Sequence, residues 1–311
     1  MIHQTKHHCR IIGEKIISKK ITMKYLTILA TLLLFLSGCK DDCFEVVEHE
    51  YDLALEDGIY VEKFAQDVTD ENRYNGNNKI YELCKKFIYD YYYEDTDGNQ
   101  FLIEREKGNI TLDDDEFQKW FFVPKDDQNK RTIVQLQTKV RSGLDPFIDN
   151  DPTYNQSIFK FYDIHKNGKS IERGETGLIE NEMNVWTHPS RHGLFAMLEF
   201  APFPYIQAPY EIGNSWVWDY VNINSDNWSD SRWLEFEGEI NIISTYEITD
   251  IKMVDTKLGE IECYEITGTA TNPYGEAKLV AYFNSEYGFV KLNYTNINLS
   301  KMVIELVEIE E

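Results

Sequence analysis

The stretch Gly288–Asn296, "GFVKLNYTN", decides the fold. Val290, Leu292 and Tyr294 fall on one side of an extended chain and Lys291, Asn293 and Thr295 on the other, which is the two-residue period of a half-buried strand. Working outward, the same period returns. Val134, Leu136 and Val140 alternate with Gln135, Gln137 and Lys139; Tyr246 and Ile248 with Thr245, Glu247 and Thr249; Met302, Ile304 and Leu306 bracket Val303 and Glu305. Antiparallel sheets with one wet face read this way. Asn167-Gly168 and Asp97-Gly98 lie between such runs, and these dipeptides tolerate the positive φ of tight hairpin turns.

Two segments break the pattern. "IYELCKKFIYDYYY" places Ile80, Leu83, Cys84, Phe87, Ile88 and Tyr91 at helical spacing, yet its β-prone aromatic end predicts a strand over Phe87 to Tyr93. The block from Trp186 to Tyr220 carries Pro189, Pro202, Pro204 and Pro209 inside an apolar and aromatic run, so it is not one ladder strand. It is expected to cross an opening or an edge of the sheet. Beyond it, "GNSWVWDY" reads as a new strand entered through Gly213, with Trp216 and Trp218 on one face.

Near the front, Tyr25 to Leu36 form an apolar run of 12 residues, short of the roughly 20 that cross a bilayer, and Lys24 precedes it. A basic flank, a short apolar core and the small residues Ser37 and Gly38 make a secretory signal, with Met23 as the expected start. Leu36-Ser37-Gly38-Cys39 resembles the lipobox of bacterial lipoproteins, which implies diacylglycerol and an N-acyl chain on Cys39 and no other cofactor. Lys40-Asp41-Asp42 is similar to the surface-export signal of Bacteroidota lipoproteins. The resemblance implies an outer-membrane, surface-exposed address and the lipoprotein maturation and export machinery as partners. The expected organisation is a leader over 1–38, an acidic lipidated tether over 39–78 and a single antiparallel β domain over 79–311.

Residues 1 to 38 hold six Lys and Arg and one acid, leaving 25 basic against 53 acidic side chains and a net charge of about −28. That balance argues against nucleic acid, which needs clustered cations. Attachment to a membrane must therefore come from the acyl chains. Besides Cys39, the exported chain keeps Cys43, Cys84 and Cys263, whose spacing is neither CxxC nor a zinc pattern. A disulfide is open to an exported protein, and Cys84 and Cys263 read as small buried hydrophobes.

No motif carries chemistry. His188 and His192 have an i, i+4 spacing, but Pro189 stands between them and no Glu follows as a metalloprotease helix requires, so no metal site is assigned. Asp95, Asp97 and Asn99 lack the remaining ligands of a calcium loop. There is no GxSxG elbow, and no catalytic residue is assigned. Aromatic residues crowd instead: Trp186, Phe195, Phe200, Phe203, Tyr205, Tyr210, Trp216, Trp218, Trp228 and Trp233 serve a core or a ligand pocket equally well. Trp186, His188, Arg191, Trp216 and Trp218 are the candidate ligand-binding residues.

"EIGNSWVWDY", "LGEIECYEITGTA" and "KLVAYFNSEYGFVKLNY" together are similar to a pattern in LolA-like exported β proteins of unknown function. The resemblance implies a mainly β fold, a strongly curved antiparallel half-barrel or open barrel with few short helices. The functional expectation is a non-enzymatic, lipid-anchored envelope protein that binds an apolar ligand or supports envelope assembly. A surface glycan-binding lipoprotein and a metal- or acid-pair-dependent hydrolase are the alternatives. Replacing Cys39 by Ala is expected to remove the acyl mass increment and to move the protein from the membrane to the soluble fraction. Unchanged membrane fractionation would overturn the lipid anchor.

Overall fold

The computed structural model describes residues 51–56, 58–64, 78–105, 120–141 and 157–311. Among these, β1 (Tyr51–Glu56) and β2 (Ile59–Phe64) pair as a separate hairpin. Fourteen strands form one antiparallel sheet: β3 (Lys86–Glu94), β4 (Gln100–Arg105), β5 (Trp120–Pro124), β6 (Thr132–Arg141), β7 (Ser157–His165), β8 (Ser170–Glu180), β9 (Asn184–Thr187), β10 (Tyr205–Gln207), β11 (Ser215–Asn224), β12 (Glu239–Thr256), β13 (Gly259–Asn272), β14 (Gly275–Asn284), β15 (Gly288–Thr295) and β16 (Lys301–Glu310). The order is β10-β9-β8-β7-β6-β4-β3-β16-β15-β14-β13-β12-β11, with β5 paired to β4 beside that path. The sheet is barrel-like and nearly closed. Only a 3-10 helix, Gly193–Phe200, and one helical turn, Ser225–Trp228, interrupt the β structure of the described residues.

The period-two runs become these strands. Val290, Leu292 and Tyr294 point into the core from β15, as do Met302, Ile304 and Leu306 from β16 and Tyr246 and Ile248 from β12. Phe87 to Tyr93 is strand, within β3. Val134 differs: a register shift between Ile133 and Gln135 hands the inward position to Ile133 and leaves Val134 half buried. Curvature is visible at the β12–β13 turn. There Lys257 forms an ion pair with Asp90 of β3, although β14, β15 and β16 stand between β13 and β3.

A fork opens where β3 leaves β6 after Asp90 and meets β4 at Tyr93. Tyr91 spans it, its hydroxyl donating to the Ile133 carbonyl at 2.9 Å and accepting the Ile103 N–H at 3.2 Å. One phenol thereby serves two buried backbone groups that a ladder would otherwise pair.

The central proline-rich block plugs the barrel. After β9 the chain runs through the 3-10 helix and returns as β10, burying Leu194, Phe195, Leu198, Phe203 and Tyr205 almost completely. Each such side chain contributes roughly 1.5–3 kcal/mol on burial. Prolines suit the path, since a strap inside a barrel has no ladder to donate to. Gly268 of β13 admits it: a Cβ there would stand 2.8 Å from the Pro202 side chain, so only glycine lets strap and wall approach this closely.

Edges β10 and β11 face one another across a seam, and the β1–β2 hairpin covers it. Tyr60 N–H donates to Asn184 Oδ1 at 2.8 Å, Asn181 Nδ2 donates to the Tyr60 carbonyl at 2.9 Å, and Tyr205 O–H donates to the Gly58 carbonyl at 2.8 Å. Gly58, at φ +86°, lies against β11, where a Cβ would come within 3.0 Å of the Val217 carbonyl. This hairpin falls within the stretch expected as tether. The positive φ of Gly58 and the alternating Ile59 and Val61 explain it.

The cysteine expectation needs one correction. Cys263 is free and buried, as expected, whereas Cys84 is half buried, has φ +71° and is disulfide-bonded.

Glu62 of the hairpin is 1% exposed, and burial, with repulsion from Glu182 and Glu180, pushes its carboxyl up to about 8. The folded state therefore holds this proton more tightly than the unfolded chain. Its contribution to stability is fully present below the ordinary glutamate range and is lost as pH rises through about 8. Glu62→Gln is expected to flatten the fall in Tm between pH 6 and pH 9; an unchanged slope would show that Glu62 ionises freely in the native state.

Candidate functional site

Four of the five candidate residues gather around the strap. Trp186, His188, Phe203 and Trp218 form one aromatic nest, with His188 and Phe203 centres 4.4 Å apart, Phe203 and Trp218 4.9 Å, and Trp186 and Trp218 5.7 Å. Arg191 caps it by donating Nη2–H to His188 Nε2 at 2.8 Å. Trp216 sits apart, stacked on Tyr246 at 5.5 Å and 4° and packed against Tyr205. Trp186, Trp216 and Trp218 are 8%, 6% and 4% exposed, so these three build core and offer no flat platform to solvent. Cys39, Lys40, Asp41 and Asp42 lie outside the described residues.

His188 is a structural group. Its Nδ1–H donates to the Pro189 carbonyl at 2.8 Å, leaving Nε2 to accept from Arg191, and burial followed by the Arg191 charge pushes its pKa down to about 3. A neutral, fully engaged imidazole has no pair to give a metal. Among the described residues no group of three or more His, Cys, Asp or Glu side chains is placed to hold a metal ion.

A second constellation was not legible beforehand. Asp163 of β7 is wholly buried; its Oδ2 accepts Arg105 Nε at 3.0 Å and Arg173 Nε at 2.6 Å, and its Oδ1 meets His192 Nε2 at 3.1 Å. Ser190 Oγ lies 2.8 Å from His192 Nδ1. Burial alone would raise the Asp163 pKa, but the His192 hydrogen bond and the two guanidiniums outweigh it and hold the carboxyl well below the usual range. His192, partly buried, titrates below an ordinary histidine because burial disfavours its charged form. Ser, His and Asp thus stand in line, but the wiring does not make a general base. Asp163 has its charge spent on two arginines, and burial weakens the imidazole as a base. The chain of bonds fastens the strap to β4, β7 and β8.

Inside the barrel, a cavity of about 60 Å³ remains between the strap and the β15–β16 wall, bordered by Tyr81, Phe159, His188, Ser190, Leu292 and Tyr294. That is room for about four or five waters at roughly 10–15 Å³ each. Tyr294 Oη, with no protein partner, faces it. Among the described residues this cavity is too small for an acyl chain.

A second cleft lies on the other side of the strap. Trp120 of β5, Trp228 and Trp233 line about 180 Å³ together with Arg191, His192, Asn227, Asp230 and Arg232. Trp120 and Trp233 are parallel within 5°, centres 6.4 Å apart, and the Arg232 guanidinium carbon stands 4.2 Å from the first ring centre and 5.0 Å from the second. The loop after β11 is rigid enough to present them. Asn224 caps the helical turn by accepting the Asp226 N–H at 2.8 Å, and Asp230 Oδ1 accepts both the N–H and the Nε–H of Arg232 at 2.8 Å. Trp233 Nε1–H donates to the Trp228 carbonyl at 3.2 Å, and Phe236 packs edge-on against Phe200 of the 3-10 helix. Trp228 and Trp233 stood in the aromatic crowd of the sequence. Trp120 and Arg232 had no signal beyond the Asp-x-Arg spacing that makes an Asx-type turn.

No protein-family model and no curated protein matches this chain. Among solved structures, a protein described as exported, of YmcC-like fold, from Bacteroides fragilis is similar at 10% identity over 74% of this chain and 97% of that one, with a TM-score of 0.36. The hypothetical lipoprotein YmcC of Escherichia coli is similar at 10% identity over 75% and 91%, with a TM-score of 0.28. Likeness this loose transfers neither architecture nor activity.

Asp163→Asn would leave two buried guanidiniums without their counter-charge and is expected to cost about 3–5 kcal/mol, read as a lower urea midpoint. A loss below about 1 kcal/mol would mean that the strap does not depend on this anchor.

Proposed function

We propose that this chain is a lipid-anchored protein of the outer membrane, exposed at the cell surface, that acts by binding a saccharide in the tryptophan cleft and performs no chemistry of its own. The observation that carries the reading is the half-buried pair Trp228 and Trp233, which line the cleft together with polar side chains while the buried Trp120 backs Trp233. Indole faces accept the C–H face of a sugar ring with little loss of conformational freedom, and flanking donors orient its hydroxyls. The lipid anchor rests on Cys39 following the apolar leader, and the surface address on Lys40 to Asp42. Binding inside the barrel is the weaker reading, because the strap occupies that space.

Titration with a panel of neutral and acidic oligosaccharides is expected to shift the indole fluorescence, and Trp233→Ala to weaken binding at least tenfold. Saccharide binding that survives Trp233→Ala, or no binding by any member of the panel, would overturn the cleft as the functional site.

A further inference from the structure

A chain with seven arginines between residues 39 and 311, and a net charge of about −28 over them, places four of the seven at one spot. Arg191 and Arg232 line the cleft. Arg105 and Arg173 stand behind it on Asp163, and the ideal Cβ position at Gly193 lies 3.3 Å from both the Arg105 guanidinium and the Trp120 ring, so the buried pair adjoins the cleft floor.

Against these four cations stand three anions. Asp163 is shared by Arg105 and Arg173, Glu199 stands 3.6 Å from Arg191, and Asp230 holds Arg232. The balance is one positive charge, in a protein whose surface is otherwise strongly negative. The hydrogen-bonding inventory leans the same way. Arg191 is half exposed, and a guanidinium has five N–H donors and no acceptor. The indole N–H of Trp120, a residue only 7% exposed, has no acceptor among the described residues. Asp230, the one carboxylate lining the cleft, is already engaged by Arg232. A neutral sugar presents donors and acceptors in equal measure. This cleft offers mostly donors.

We infer that the cleft is selective for an acidic saccharide, with a carboxylate-bearing ring packed against Trp228 and Trp233 and its carboxylate received by Arg232 and Arg191. The inference rests on the reading of the cleft as a saccharide site and adds the charge of the ligand. Planar guanidinium groups match carboxylates in a way that a lysine ammonium does not, which gives the arginine enrichment its meaning. In a strongly acidic protein, such an island also decides where an anionic chain can approach at all.

The test uses the full-length acylated protein in detergent, titrated by calorimetry with trigalacturonic acid and, separately, with maltotriose. Trigalacturonic acid is expected to bind at least tenfold more tightly, and Arg232→Gln, at an exposed position, to bring the ratio near one while leaving the Tm unchanged. Arg191→Lys is the second variant, keeping the charge beside His188 and Glu199 while removing the guanidinium fork; it is expected to lower affinity for the acid alone. Equal binding of the two sugars overturns the acidic selectivity and leaves the saccharide reading standing. Binding of neither overturns both. Tight acid binding unaffected by either variant places the anion elsewhere and overturns the assignment of Arg232 and Arg191.

Discussion

A buried carboxylate sets the terms for this molecule. Asp163 has no water to solvate it, so β4, β8 and the strap must each bring it a donor, from Arg105, Arg173 and His192. An unpaired charge in such a place would cost several kcal/mol. Those three elements are therefore fixed relative to one another by a single group on β7. Once the strap is pinned there, its aromatic residues fill the barrel, and its other face becomes the floor of the cleft. Core, plug and surface site share one electrostatic anchor.

How much of this was written in the sequence depends on the distance over which a signal acts. Alternation is a local property of the chain, and it located β15, β16 and β12 down to the inward residues. Hairpin dipeptides are local as well, which is why Asn167-Gly168 and Asp97-Gly98 sit at turns. Proline punctuation told that the block after Trp186 is no ladder strand, and the strap bears this out. Which aromatic residues face water was not legible. Trp216, Trp218 and Trp233 look alike as letters, and only the closure of the sheet buries the first two and leaves the third at a surface.

The site was the least legible part, for a related reason. Trp120 and Trp233 are separated by more than a hundred residues, and Asp163 has partners on both sides in sequence with no common spacing. Convergence of that kind is decided by topology, not by a motif. The sequence also invited a misreading at His188 and His192, whose spacing suggests a shared ligand. In the structure the strap turns them apart, one toward Arg191 and one toward Asp163, and each is spent on holding the strap in place.

The seam between β10 and β11 has a further consequence in time. Its cover, the β1–β2 hairpin, binds residues well over a hundred positions away in the chain, at Asn184, Tyr205 and Val217. Contacts of such long range carry a loop-closure cost that is recovered only after the rest of the sheet exists. That cost favours late closure by the hairpin. A protein built this way assembles its sheet first and closes it with a hairpin that precedes the sheet in the chain.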